Sequence, residues 1–170
     1  MKINLLFFAI FISVGLILLI LSLIFKNKDK KMIKQCNQIT KGKVIKYTLW
    51  NNNGVNFPIV EYIVDNIKYN QRLKYGWIVN KSSSFNSVKT EVGNDVKEDN
   101  LVINSNAHIS TNALKEHFPV GTELDVFYNP QNPNKSYVMR FVKSPAIKVL
   151  FYTGLLFIVL AFIGLRFLPI

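Results

Sequence analysis

Two long apolar segments near the ends of the chain dominate its hydrophobic pattern. Leu5–Phe25 and Val149–Leu165 carry no charged side chain. The hydrocarbon core of a bilayer is roughly 30 Å thick, and about 20 apolar helical residues cross it. The second segment is shorter, but Lys148 and Arg166 flank it and can extend to the headgroups. The pattern predicts transmembrane helices at 3–25 and 146–166, with a folded domain between them.

The region between the helices changes from a basic, polar connector over 26–40 to a period-two pattern typical of β-strands. Alternation of apolar and polar positions predicts a β-rich soluble domain over 41–142. The predicted strands are Lys43–Trp50, Val55–Val64, Ile67–Trp77, Glu123–Tyr128 and Ser136–Val142. Turns rich in Asn and Gly separate the first three strands, at Asn51–Gly54 and Asp65–Asn66. We therefore expect a small antiparallel β-barrel or β-sandwich, with Tyr62 and Val126 inside.

A polar insertion interrupts this domain over 80–106. Its apolar residues are sparse, so we expect it at the surface, outside the core or as an edge hairpin, with one short strand at Leu101–Ile103. After it, Thr111–His117 is typical of a helical turn that Gly121 ends.

The formal net charge of +11 is concentrated beside the apolar segments. A basic run of this kind can bind nucleic acid or phosphoinositides, but beside a membrane helix it is more often a topology signal and a contact for anionic headgroups. The positive-inside rule then places the loop domain in the cytoplasm of a multi-pass cell-membrane protein, with both termini outside. The residues assigned to headgroup contact and topology are Lys26, Lys28, Lys30, Lys31, Lys34, Arg140, Lys143 and Lys148.

The chain offers few residues with catalytic or metal-binding spacing. Its single cysteine, Cys36, excludes an internal disulfide and is more typical of an ordinary thiol than of an acylation site. His108 and His117 stand nine residues apart without a CxxC, HxH or HExxH motif. We expect no catalytic residue, no metal ligand and no cofactor.

Aromatic residues interleaved with lysines leave two interpretations open. Such a pattern can stack single-stranded nucleic acid, but it equally provides the core of a small sheet, with some rings at the membrane interface. We favour the core and expect no nucleic-acid partner. The aromatic residues concerned are Tyr47, Trp50, Phe57, Tyr62, Tyr69, Tyr75, Trp77 and Tyr128.

Three short segments resemble a known family. They are Lys41–Val44, Pro58–Asp65 with Tyr69 following, and Val120–Gly121 followed by Val126–Pro133. Together they resemble the domain of unknown function 3592 family, over about Gly42–Val138. The resemblance implies a small bacterial membrane protein with a β-rich domain, and it carries no catalytic residues. The structural motif that it marks comprises Gly42, Glu61, Tyr62, Gly121, Tyr128, Asn129, Pro130, Asn132 and Pro133.

The segment Asn129–Pro133 is the most specific part of that motif. Each proline restricts its own φ and favours extended geometry in the residue before it, and Asn side chains can bond nearby backbone amides. We therefore expect a rigid turn after a strand. An anion-binding loop is the alternative interpretation.

These features favour a non-enzymatic, membrane-anchored binding or scaffolding module of a bacterial envelope system. The expected partners are the lipid bilayer and a protein, either an envelope component or a toxin. The second hypothesis is an immunity protein that neutralises a secreted or membrane-active toxin, and a membrane-bound enzyme comes third. The sequence leaves the oligomeric state open.

The charge asymmetry gives a testable topology. A reporter enzyme that is active only outside the cytoplasm, fused at Asn94, should remain inactive, because lysines near the membrane retain the loop domain inside. Reporter activity in intact cells is the measurement. An active fusion at Asn94 would reverse the orientation and leave the membrane anchoring intact.

Overall fold

The computed structural model describes residues 2–49, 55–82, 91–92, 100–105 and 113–167. The chain forms two compact units, one built from its terminal helices and the other from residues 32–143. In chain order the elements are α1 (Lys2–Gln35), β1 (Gln38–Tyr47), β2 (Pro58–Val64), β3 (Ile67–Arg72), β4 (Trp77–Ser82), β5 (Glu91–Val92), β6 (Asn100–Ser105), α2 (Ala113–His117), β7 (Glu123–Asn129), β8 (Asn132–Val138) and α3 (Ala146–Phe167).

The two long helices match the two apolar segments. Leu5–Gln35 and Ala146–Gly164 are long and apolar enough to cross a membrane by length and composition. Helix α1 continues beyond the apolar segment to Gln35, because Lys26–Lys34 contains neither Gly nor Pro and lysine favours helix. Strand β1 then begins at Gln38. The connector predicted over 26–40 is thus the last part of α1 followed by the start of β1.

The terminal helices pack as an antiparallel pair through small residues. A Cβ atom added to Gly154 would lie 2.9 Å from the carbonyl oxygen of Gly15, so only glycine allows the backbones this close. Further along the pair, the Ser22 hydroxyl donates to the Ile147 carbonyl oxygen at 3.0 Å. Ala161 is fully buried on the same helix as Gly154. The small residues of α3 therefore form its contact face, as small residues do in paired transmembrane helices.

On α1 the contact residue differs from the expected one. The spacing of Ala9 and Ser13 predicts a small-residue face, but both side chains are exposed, and Ser13 donates its hydroxyl hydrogen bond to the Ile10 carbonyl of its own helix. Gly15 supplies the close approach instead. A four-residue spacing alone does not show which helix face meets the partner.

The main sheet of the second unit contains five antiparallel strands in the order β3-β2-β1-β7-β8. The expected meander forms β1, β2 and β3, and the strand predicted at Glu123–Tyr128 joins its other side as β7. The strand predicted at Ser136–Val142 is wrong in its bounds: β8 begins earlier, at Asn132, and ends at Val138, after which Met139 has a φ of 59°. The sheet curls until it is nearly barrel-shaped. Its interior holds the buried core, to which Tyr62 and Val126 contribute as predicted.

Local backbone geometry decides which side chains face inward. Asp65 and Asn66 have φ values of 50° and 62°, the left-handed conformation that a tight hairpin turn requires. In β1 the pairing shifts between Val44 and Lys46, so Ile45 forms a bulge. Val44 is consequently buried. Alternation predicts that Ile45, Tyr47 and Leu49 point to one side of a strand, but β1 ends at Tyr47, and Leu49 beyond it is almost fully exposed.

A second, three-stranded sheet with the order β4-β6-β5 corrects two predictions. The strand predicted at Ile67–Trp77 ends at Arg72, because Leu73 turns into the core, and Trp77 starts β4 in the new sheet. The strand predicted at Leu101–Ile103 exists within β6 and pairs in parallel with β4. The insertion at 80–106 is not wholly outside the core, since Leu101 is buried in it.

Several sequence predictions lie outside the described residues. They concern the turn at Asn51–Gly54, Trp50, His108, the start of the helical turn at Thr111, and most of the insertion. The described part of that helical turn is α2, which inserts Leu114 into the core with the adjacent Phe118.

The helix pair gives a stability prediction. Gly154→Ala should destabilise the protein by about 1–3 kcal/mol, because the new methyl group would overlap a backbone oxygen that cannot move aside. Gly164→Ala is the matched control, since its methyl group would meet only the ring of Phe7, a side chain that can rotate. Unfolding of the full chain in detergent micelles measures both. Equal stability of the two variants would contradict the backbone contact.

Candidate functional site

The first motif residue, Gly42, lies at the middle of the sheet. Its strand is flanked by β2 and β7, and an added Cβ would lie 2.6 Å from the Val60 side chain and 2.9 Å from the Glu61 carbonyl oxygen. Gly42 therefore allows the neighbouring strands to pack closely over β1. Its role is steric.

Gly121 supports the same strand from a turn. Its φ of +96° is one that residues with a side chain rarely adopt, and its N–H donates to the Val44 carbonyl oxygen at 2.8 Å. The turn is thereby held against β1.

The motif Asn129–Pro133 forms the turn between β7 and β8. The Asn129 side-chain oxygen is buried with its residue and accepts a hydrogen bond of 2.9 Å from the Gln131 N–H. Pro130 and Gln131 occupy the turn itself, and Asn132 begins the next strand opposite Asn129. This geometry is an Asx turn, in which an Asn side chain replaces a backbone acceptor.

The Tyr62 hydroxyl is at the centre of a buried polar network. Tyr62 is 1% exposed, and its hydroxyl lies 2.5 Å from the Pro133 carbonyl oxygen and 2.8 Å from Ser136 Oγ. Tyr62 has one proton to donate, so donation to Pro133 leaves its oxygen to accept from the Ser136 hydroxyl. The turn motif and the interior tyrosine are therefore a single structural feature.

Gln71 extends this network to the far edge of the sheet. Its side-chain amide on β3 donates to the Ser136 carbonyl oxygen at 2.5 Å and to Ser136 Oγ at 3.1 Å. Ser136 belongs to β8, the opposite edge strand. The network of Tyr62, Gln71 and Ser136, which we term the closure network, joins the two edges of the curled sheet.

The chemistry of the closure network is structural. Burial raises the pKa of the Tyr62 hydroxyl, and the hydrogen bond with Ser136 opposes only part of that shift. A nucleophilic serine requires a neighbouring base, whereas the described partners of Ser136 are an amide and a phenol. The hydrogen bonds therefore hold strands together and do not activate the Ser136 hydroxyl.

Cys36 is buried at the start of the sheet unit. Its thiol donates to the Lys135 carbonyl oxygen, with 3.2 Å between sulfur and oxygen, and the Met32 sulfur lies 3.9 Å away. Burial raises the pKa of the thiol, which keeps it protonated and poorly nucleophilic. A buried, hydrogen-bonded thiol supports the interpretation of Cys36 as an ordinary packing residue.

Arg140 differs from the other basic residues assigned to headgroup contact. Its guanidinium carbon lies 4.6 Å from the centroid of the Tyr75 ring, so the charge is engaged within the sheet unit. Burial raises the pKa of the Tyr75 hydroxyl, and the charge of Arg140 opposes that shift. The assignment of Arg140 to the headgroups stays a prediction. The other basic residues of the set are exposed: Lys26, Lys28, Lys30, Lys31, Lys34, Lys143 and Lys148.

The remaining predicted residues fall at separate places. Glu61 forms an ion pair with Lys68 on the outer face of the sheet, with 3.2 Å between Glu61 Oε1 and Lys68 Nζ. Tyr128 packs against the core, and His117 is exposed with its ring edge-on to Phe118. Among the residues that the structure describes, no group of three or more His, Cys, Asp or Glu side chains could hold a metal ion.

The aromatic residues divide between the core and the surface. Most of the set, including Phe57 and Tyr69, is buried in the core or packs against it. Among the members of the set that the structure describes, Trp77 is the exception, since it is 58% exposed on β4. The alternation from Ile67 to Trp77 predicts an inward tryptophan, and no sequence signal marks the change of sheet after Leu73.

The family model of a domain of unknown function, DUF3592, matches residues 100–143. The matched segment runs from β6 through β8 and includes the Asn129–Pro133 turn. It confirms the resemblance to that family for the last of the three segments seen in the sequence, whereas Lys41–Val44 and Pro58–Asp65 lie outside the match. No curated protein and no solved structure matches the chain.

The closure network gives a stability prediction. Tyr62→Ala should cost about 3–5 kcal/mol, because it removes a buried ring, out of a domain stability of about 5–15 kcal/mol. Tyr62→Phe keeps the ring and should cost about 1–3 kcal/mol, since Pro133 and Ser136 lose their shared partner. Denaturant unfolding of the full chain in detergent micelles is the measurement.

The matched control is Tyr152→Phe, which removes a hydroxyl from a tyrosine that is exposed on α3. It should leave the free energy of unfolding almost unchanged. If Tyr62→Phe were equally neutral, the closure network would not contribute to stability.

Proposed function

We propose that this chain is a non-enzymatic, membrane-anchored binding module of a bacterial envelope system. In this proposal α1 and α3 cross the cell membrane, and the sheet unit presents a protein-binding surface at the cytoplasmic side. The apolar surface of the helices supports the first part, because large side chains such as Leu6, Ile17 and Phe162 are more than half exposed. Continuous exposed apolar surface of this kind is typical of contact with lipid or protein.

The observation that carries the binding proposal is the outward face of β4. Trp77 and Val79 are 58% and 42% exposed, and alternation along the strand places both on one face. Ile78, between them, packs against the core. The parallel partner of Val79 is Val102 on β6, which continues the apolar face across the sheet. We term Trp77, Val79 and Val102 the β4 face.

Core residues beneath the β4 face hold its strands in place, so we expect the face to be rigid. Leu101, next to Val102, is fully buried in the core of the sheet unit. A partner that covers the face would therefore lose little entropy in ordering it, and preorganised surfaces bind more tightly. Exposed tryptophans on such surfaces are frequent binding hot spots.

The position of β4 in its sheet adds a second mode of contact. It is the terminal strand of the order β4-β6-β5, so its outer backbone groups have no strand partner among the described residues. A partner can add a strand to such an edge while its side chains cover Trp77. This combination favours a protein over a small molecule as the ligand.

A self-protection role against a toxin would use the same face and differ only in the partner. The proposals therefore share one experiment. The identity of the captured protein distinguishes an envelope component from a toxin.

Site-specific photocrosslinking in native cells tests the binding proposal. A photoreactive phenylalanine at Val79 of the full chain should capture one defined protein, and Trp77→Ala should reduce that capture by about tenfold or more, as hot-spot truncation does. The control position is Val120, which is apolar and exposed but lies in the turn after α2. Equal capture at Val79 and Val120, or capture that ignores Trp77→Ala, would contradict the proposal.

A further inference from the structure

A second apolar surface, exposed at Ile39 and half-buried at its aromatic rings, lies on the outer face of β1, β7 and β8 and continues past the end of β8. Ile39 stands opposite Phe127, and Phe127 stands opposite Tyr137, so the three side chains form a row across neighbouring strands. The Phe127 and Tyr137 rings stack with their centroids 5.0 Å apart, and the Phe141 ring meets Tyr137 edge-on at 5.5 Å. We term Ile39, Phe127, Tyr137 and Phe141 the aromatic row.

Polarity changes sharply along the strands next to this row. Two residues further along β1, Lys41 forms an ion pair of 2.6 Å with Asp125, and after two more residues Lys43 lies 3.4 Å from Glu123. Two strand residues cover about 7 Å, so the surface passes from apolar to ionic over a short distance. A boundary between hydrocarbon and water has the same gradient.

Short covalent links join two members of the aromatic row to the long helices. Ile39 follows the last residue of α1 by four residues, and Phe141 precedes the first residue of α3 by five. An extended chain covers at most about 3.6 Å per residue, so these links reach no more than about 14 Å and 18 Å.

Basic side chains flank the row. Lys135 shares its outward face with Tyr137 two positions away, and Lys143 follows Phe141 by two residues; both lysines are exposed. Aromatic rings beside lysines are the side chains that membrane interfaces favour, with rings at headgroup level and ammonium groups on anionic lipids.

We infer that the aromatic row contacts the membrane interface and sets the sheet unit against anionic headgroups. The inference rests on the proposed membrane insertion of α1 and α3. The apolar row meets the lipid, Lys135 and Lys143 meet the phosphates, and the ion pairs of Lys41 and Lys43 face water. The sheet unit would then be held in one orientation at the membrane surface.

Quenching of tryptophan emission by brominated lipid tests this inference. The full chain, with Trp50 and Trp77 replaced by Phe, receives a single tryptophan as Phe141→Trp or Tyr137→Trp. Each variant is reconstituted in vesicles of phosphatidylcholine and phosphatidylglycerol, with bromine near the headgroup end of the acyl chains. We expect both tryptophans to lose emission, and Lys135→Gln with Lys143→Gln to reduce that loss.

Two further positions separate the possible failures. Phe151→Trp on α3 reports membrane insertion, and Leu49→Trp, at an exposed position beyond the far end of β1 and ten residues from Ile39, reports a part of the sheet unit away from the row. Quenching at position 151 but not at 137 and 141 would overturn the inference and leave membrane insertion intact. No quenching at position 151 would contradict membrane insertion itself.

Other occupants of the row give different results. Emission that shifts to the blue without loss to brominated lipid would show that protein, such as a second copy, covers the row, and would overturn the inference. Equal quenching at position 49 would also overturn it, since contact with lipid would not then be specific to the row.

Discussion

The hydrogen bonds that join β3 to β8 are the constraint on which the sheet unit depends. A five-stranded antiparallel sheet has two edges, and unpaired edges invite association with other chains. Here Gln71 on one edge donates to Ser136 on the other, while Tyr62 holds Ser136 from the interior. Because the Tyr62 hydroxyl also donates to the Pro133 carbonyl, the turn of the family motif is positioned by the same interaction. Closure of the sheet, burial of the tyrosine and the turn geometry therefore depend on one another.

Local pattern predicted the parts of the fold that neighbouring residues determine. The meander of β1, β2 and β3, the Asp65–Asn66 turn and the turn at Asn129 all follow from alternation and from residues suited to special backbone geometry. The break after Arg72 could not be predicted in this way. Alternation continues unchanged through Leu73, and the pairing of β4 with β6 joins residues more than twenty positions apart, with no local signal.

In the candidate site too, sequence pattern predicted the locally determined features and missed the contacts between distant residues. Resemblance marked Gly42, Tyr62 and the Asn129–Pro133 turn, and alternation placed Tyr62 inside. Neither could supply Gln71 or Ser136, because Ser136 lies 65 residues from Gln71 and 74 from Tyr62 in sequence. Arg140 adds a further contact that the sequence pattern does not reveal, since a basic residue near an apolar segment can lie over a ring of its own domain. The sequence gives the number and spacing of basic residues, whereas only the tertiary structure shows which of their charges remain free to bind a headgroup or a partner.

The distribution of hydrogen bonds favours the outside of the sheet unit for the proposed binding. Tyr62, Ser136 and Gln71 satisfy one another, so a ligand that engaged them would have to break the contacts that close the sheet. Binding to the outer surfaces would not break these hydrogen bonds, because the β4 face and the aromatic row lie outside the buried residues that form them. Separate surfaces can bind a membrane and a protein at the same time. A tethered domain that binds both confines its protein partner to the membrane, where a short link raises the effective concentration of the second contact.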